Sequence, residues 1–181
     1  IMQKKEGVLE KADELRDELI KAGFRVKVDD RDKNPGFKFA DCEMRGIPLR
    51  VEIGPRDIEK GEAVLVRRDT REKETVSFAE LSKRVGELLE SIQQDMFDRA
   101  KAHLESHTFA ATSMDEMEEI LDTKKGFVKA MWCGCRECED AIKEKTGATS
   151  RCIPFKQEKL SDTCIYCGKP AQKMVYFGRA Y

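Results

Sequence analysis

An α/β layered domain followed by a small α+β domain is the fold class the sequence predicts. Three observations carry it. Helix-like and strand-like apolar periodicities alternate through residue 105. A capping box, Ser113-Met-Asp-Glu116, then opens a second unit of about 75 residues, a size at which a hydrophobic core alone is marginal. Within that unit stand two cysteine clusters, Cys133-Gly-Cys135-Arg-Glu-Cys138 and Cys164-Ile-Tyr-Cys167. The expected boundaries are 1–75 for the α/β domain, 76–106 for a connecting helix and 107–181 for the cysteine domain.

The elements follow from local pattern. Val8, Leu9, Ala12, Leu15, Leu19 and Ile20 fall at helical spacing, and Gly23 supplies a C-terminal cap. Phe24-Arg-Val-Lys-Val28 alternates as a half-exposed strand would, and residues 29–36 break into a turn. Phe37 to Arg45 reads as a short helix closed by Gly46, and Ile47 to Ile53 as the next strand, with a turn at Gly54-Pro-Arg-Asp57. The consecutive apolar residues Ala63, Val64, Leu65 and Val66 have the pattern of an interior parallel strand in a mixed sheet. Ser77-Phe-Ala-Glu80 is a capping box for one long helix carrying Leu81, Val85, Leu88, Leu89, Ile92, Met96, Ala100 and Leu104, which is expected to lie on the sheet. The pattern opens on a helix where such three-layer domains open on a strand, so a first strand is expected to be missing. An Ile at position 1 likewise suggests that something precedes it.

In the second unit a helix to Leu121, a strand Phe127–Trp132 and a helix from Glu137 to Lys145 are predicted. The tail from Met174 to Tyr181 is apolar and aromatic to its end, unlike a frayed terminus, and is expected to dock onto something.

The composition excludes several classes. The 181 residues carry a net charge of −1 with 38% charged residues, so no global basic field marks the chain as a DNA binder, and any nucleic-acid contact must come from a local patch. No apolar run reaches the roughly 20 residues of a membrane span. A cytoplasmic protein is expected. Gly54-Pro-Arg-Asp57 lacks the glycines and the Lys-Ser/Thr of a triphosphate loop. The only histidines, His103 and His107, sit at the end of the long helix, where they suit its C-terminal dipole rather than catalysis.

Seven cysteines and no signal segment argue against disulfides. Two close clusters separated by residues 139–163 match a closed tetrahedral thiolate site, and structural zinc is the metal that such a site prefers. The first cluster offers three thiols for two places. Cys135 and Cys138 make the usual C-x-x-C loop, to which spacing alone leans, and Cys133 and Cys138 a wider one. A thiol oxidoreductase using Cys135 and Cys138 is a weaker reading, because a redox pair has no need of a second cluster. Cys42 and Cys152 are expected to be buried small hydrophobes.

Read together, Pro35-Gly-Phe-Lys-Phe39, Glu43-Met-Arg-Gly-Ile-Pro-Leu-Arg50, Val51-Glu-Ile-Gly-Pro-Arg-Asp57, Val66-Arg-Arg-Asp69 and Phe177-Gly-Arg-Ala-Tyr181 resemble the C-terminal part of prolyl-tRNA synthetase in its archaeal and eukaryote-like form. The resemblance covers nearly the whole chain. It implies an anticodon-binding α/β domain and an appended zinc domain, in a class II ligase, likewise a homodimer, whose catalytic domain lies upstream with its ATP and Mg²⁺. No aminoacylation is then expected from this chain alone. It implies zinc on Cys133, Cys138, Cys164 and Cys167, base reading by Glu43 and Arg50, a pocket shared with Phe39, Arg56 and Asp57, and a Tyr181 that reaches toward the catalytic domain.

The anticodon chemistry stands independently. Proline anticodons share two guanines, and an unstacked guanine offers two donors on its Watson–Crick edge, suited to a carboxylate, and two acceptors on its Hoogsteen edge, suited to arginine. Glu43, Arg50, Arg56 and Asp57 supply both kinds. A free-standing zinc-ribbon module that binds protein is the alternative reading, and taken singly Glu43 and Arg50 are ordinary surface charges.

Overall fold

The computed structural model describes residues 7–180 and divides into two compact units, Ile1–Phe97 and Asp98–Tyr181. In the first, the amphipathic stripe folds as α1 (Val8–Lys21), burying Val8, Ala12, Leu15 and Leu19. α2 (Pro35–Met44) begins at Asn34, whose side-chain oxygen accepts from the Phe37 amide at 2.8 Å. Proline in the first turn leaves no hydrogen bond unmade there. β1 (Leu49–Glu52), α3 (Pro55–Lys60), β2 (Glu62–Arg67), β3 (Lys73–Ser77) and α4 (Phe78–Ser106) follow.

The strands lie in the order β1-β2-β3. Both pairings are antiparallel, with Val51 opposite Leu65 and Ala63 opposite Val76. Ala63, Leu65 and Val76 pack with Leu15 and Leu19 of α1 and with Leu81, Val85 and Leu88 of α4, and Leu49 and Val51 join that core. Because side chains alternate along a strand, Arg50 and Glu52 stand on the opposite face of β1.

Several expectations change in this unit. Residues 62–68 do supply the central strand, but it is antiparallel. β2 and β3 are joined by residues 68–72, a connection too short for a parallel crossover. The mixed sheet is in the second unit. Residues 24–28 form no strand; Phe24, Val26 and Val28 pack on the core while their backbone has no ladder partner among the described residues. Alternation reports one buried face, not pairing. Gly54 opens a helix rather than a turn, since Asp57 Oδ2 accepts from the Gly54 amide at 2.8 Å and caps α3. Burial along α4 ends at Ile92, and Met96 and Leu104 are exposed.

The second unit contains β4 (Thr108–Ala110), α5 (Met114–Thr123), β5 (Phe127–Trp132), α6 (Arg136–Thr146), β6 (Ala148–Cys152) and β7 (Lys173–Arg179). Its sheet runs β4-β5-β7-β6, with β4 parallel to β5 and the other pairs antiparallel. Ser113 caps α5 by accepting from the Glu116 amide at 3.2 Å. Met117, Ile120, Leu121, Val128, Ile142, Val175 and Phe177 form the core. Residues 173–179 of the apolar tail are thus an interior strand of their own domain, with Met174, Val175 and Phe177 buried. Tyr181 lies outside the described residues. Cys42 is half-buried and Cys152 exposed, so neither is the core residue expected. Among the described residues no helix is long and apolar enough to cross a membrane.

Candidate nucleic-acid interface and metal centre

On the face of β1 away from the core, Arg50 is held from several sides. Its guanidinium carbon lies 4.1 Å from the Phe39 ring centroid, an on-face cation–π contact. Its Nε donates to Glu52 Oε1 at 2.8 Å, and its NH1 approaches Glu43 Oε1 at 3.6 Å. The Arg50 side chain is 15% exposed and that of Glu43 41%, so the arginine is fixed and the carboxylate is open to solvent. Glu52 is in turn 3.9 Å from Lys73 on β3.

The backbone places Glu43 beside Arg50 by ending α2 sharply. Gly46 adopts φ 74, where only glycine is unstrained, and its amide bonds to Glu43 O at 3.1 Å while that of Ile47 bonds to Cys42 O at 3.1 Å. Arg68 fastens the same turn, its Nε donating to Glu43 O at 2.8 Å and its amide to Pro48 O at 3.0 Å. The chain thereby reverses within four residues, from the helix end into β1.

The structure thus brings Phe39, Glu43 and Arg50 together. Asp57 is engaged as the cap of α3, and Arg56 is exposed on the same helix; among the described residues no ion pair or ring contact joins either to the trio. Glu52 is the member that sequence reasoning missed. Its signal was available: it is two residues from Arg50 on a strand, and hence on the same face.

In the second unit, the thiols of Cys133, Cys138, Cys164 and Cys167 all lie within 4.8 Å of one another. Cys133 and Cys138 sulfurs are 3.6 Å apart, and Cys133 and Cys167 sulfurs 3.8 Å. A disulfide would need about 2.05 Å. Four sulfurs at about 2.3 Å from a central tetrahedral ion stand about 3.8 Å from one another. The donor set and its spacing fit a closed four-thiolate metal site.

Three segments build it. Cys133 follows β5 directly and Cys138 sits in the first turn of α6, whose amide dipoles favour a thiolate. Trp132 Nε1 donates to Cys135 O at 3.0 Å and fixes the loop between them. The third segment, Cys164–Cys167, is closed by Cys164 N to Lys169 O at 2.8 Å and Gly168 N to Cys164 O at 3.1 Å, and tied to β5 by Ile165 N to Met131 O at 2.9 Å. Without a metal, burial pushes the Cys138 and Cys133 thiols up. The Lys169 amide, bonded to Cys167, holds that thiol down at about 7. Cys135 takes no part: it is exposed and its thiol bonds to Glu137. The C-x-x-C spacing to which the cysteine pattern alone leaned is not the pair that converges here.

Two family models match the chain. The anticodon binding domain matches residues 1–88, and the C-terminal domain of prolyl-tRNA synthetase matches residues 114–181. The chain matches the C-terminal part of prolyl-tRNA synthetases. Across all 181 residues it is 62% identical to a proline–tRNA ligase of Lachnoclostridium phytofermentans, 63% to one of Lachnospira eligens and 57% to one of Clostridium botulinum. It spans 38% of the length of each of these synthetases. The trio of Phe39, Glu43 and Arg50 therefore lies in the region of the anticodon-binding match, and the four thiols in that of the synthetase C-terminal domain.

Proposed function

We propose that this chain recognises the anticodon of proline tRNA on behalf of an enzyme that attaches proline to that tRNA at the expense of ATP. The observation that carries the reading is the convergence of an arginine, a carboxylate and an aromatic ring at one exposed edge of an anticodon-binding domain. The guanidinium, braced on Phe39 and Glu52, keeps NH donors for the O6 and N7 of a splayed-out guanine. Glu43 offers acceptors for the N1 and N2 donors of a guanine's Watson–Crick edge. In the absence of RNA these two groups partly neutralise each other, so a base exchanges one ion pair for two sets of directed hydrogen bonds. Arg56 and Asp57, on the next helix, are assigned to the same pocket by the family resemblance alone.

On this reading residues 1–75 make the reading domain, 76–106 the connecting helix and 107–181 a zinc domain. Cys133, Cys138, Cys164 and Cys167 hold Zn²⁺, which with no open position fixes structure rather than chemistry. ATP and Mg²⁺ act only in a catalytic domain of the whole enzyme, a cytoplasmic homodimer. A stand-alone zinc-ribbon module that binds protein has no use for the Phe39–Arg50–Glu43 edge. Titration of the chain with a proline anticodon stem-loop tests the choice: saturable binding that an unrelated stem-loop does not reproduce is expected, and equal binding of both would refute it.

A further inference from the structure

We propose that Glu52 is the positioning residue that gives Arg50 its base specificity; the inference rests on the anticodon reading above. Arg50 has three contacts with distinct geometric consequences. Phe39 fixes the plane of the guanidinium, because the ring lies beneath it at 4.1 Å. A planar cation on a ring can still rotate within that plane. Glu52 removes that freedom, since Oε1 accepts from Nε at 2.8 Å and Nε is the one nitrogen on the stem side of the group. NH1 and NH2 are left as the outer edge, and NH1 lies 3.6 Å from Glu43 Oε1.

Two features mark this as orientation rather than generic charge pairing. Arg50 and Glu52 are 15% and 21% exposed, while Glu43 is 41% exposed, so the inner pair is rigid and the outer one exchangeable. Both residues project from one four-residue strand in register with β2, Arg50 opposite Val66 and Glu52 opposite Val64, so their separation is set by the backbone. A bidentate contact to guanine demands that both NH groups meet O6 and N7 together. An arginine free to rotate would keep its charge and its attraction for phosphate, but lose discrimination between bases.

The test uses anticodon stem-loops in which 7-deazaguanine, which lacks the N7 acceptor, replaces each anticodon guanine in turn. Wild-type protein should bind one of the two substituted RNAs about tenfold more weakly than the parent RNA, the loss expected when one bond of a bidentate contact is removed and its donor left unpaired. Glu52→Gln keeps an acceptor at the same reach and should preserve the penalty. Glu52→Asp keeps the charge but withdraws it by one methylene, and with Glu52→Ala should reduce the penalty to about threefold or less while affinity for the substituted RNA stays unchanged. Circular dichroism confirms that the variants are folded, and the Gln and Asp pair carries the test if Glu52→Ala is not. A penalty that persists in Glu52→Asp, or that is lost in Glu52→Gln, overturns the positioning role. Arg50→Ala separates the two levels: if it abolishes the penalty and Glu52→Asp does not, only the Glu52 inference fails, and if Arg50→Ala retains the penalty, Arg50 is not the reader.

Discussion

Replacing Cys138 by alanine should release the metal and loosen one part of the second unit while leaving its sheet in place. Structural zinc in zinc-finger peptides contributes apparent free energies of roughly 10–16 kcal/mol. Shared among four ligands, that is roughly 2.5–4 kcal/mol for each, so losing one ligand should weaken zinc by about 10²-fold to 10³-fold. The consequence is local because the three segments that meet at the thiols are anchored unequally. β5 and β7 are paired along their length and bury Val128, Ala130, Val175 and Phe177, and α6 buries Ile142. Residues 153–172, by contrast, contain no strand or helix and enter the core only through Ile165. Metal content by elemental analysis, followed by amide hydrogen exchange, reads both effects. Zinc near one equivalent in the wild type should fall well below that in Cys138→Ala. The Cys164, Ile165 and Gly168 amides should lose protection while the β5–β7 ladder keeps it. Cys135→Ser should change neither, because that thiol faces Glu137 outside the cluster. Full zinc retention in Cys138→Ala, or zinc loss in Cys135→Ser, would refute the assignment.

Gly126 has φ 132, and a Cβ there would meet at 2.3 Å the His107 carbonyl oxygen, which accepts from the Phe127 amide where β4 and β5 begin to pair. Gly126→Ala should cost at least about 2 kcal/mol in chemical denaturation, and a change within about 0.5 kcal/mol would contradict the packing described. The Arg31 guanidinium, hydrogen-bonded at 2.7 Å, holds the Asp29 carboxyl down at about 2 from an ordinary 3.8. Since the folded value is the lower one, the stabilisation is complete above the ordinary value and is lost as pH falls through about 2. Arg31→Ala should therefore lower the Tm at neutral pH and converge with the wild type near pH 2, and a gap that persists in acid would show another cause.

Much of this was legible because it is written in local chemistry. Ser113 with Glu116, the run Phe127–Trp132 and the two cysteine clusters each specify one structure within a few residues. The strand over 62–67 was legible as an element but not in its direction, because a run buried on both faces records burial alone, and the antiparallel pairing is set by the short connection to β3. β3 itself, Lys73-Glu-Thr-Val-Ser, carries a single strongly apolar residue and is a strand only because β2 pairs with it. Spacing alone favoured Cys135 over Cys133 as a metal ligand. What separates them is tertiary, the positive φ of Gly134 and the Trp132 bond that turn Cys135 outward. Glu43 and Arg50 were singled out through resemblance, whereas Glu52, although its spacing of two from Arg50 already put it on the same face of the strand, was singled out by its carboxylate on the Arg50 Nε.

The most direct test of the anticodon reading is the affinity of wild-type and Arg50→Ala chains for a proline anticodon stem-loop and for the same RNA with adenine at each anticodon guanine in turn. The account predicts that the wild type discriminates against at least one substitution by about tenfold or more, and that Arg50→Ala loses that discrimination while still binding the RNA through sequence-independent contacts. Equal discrimination by the two proteins would show that Arg50 does not read a base and would contradict the central claim.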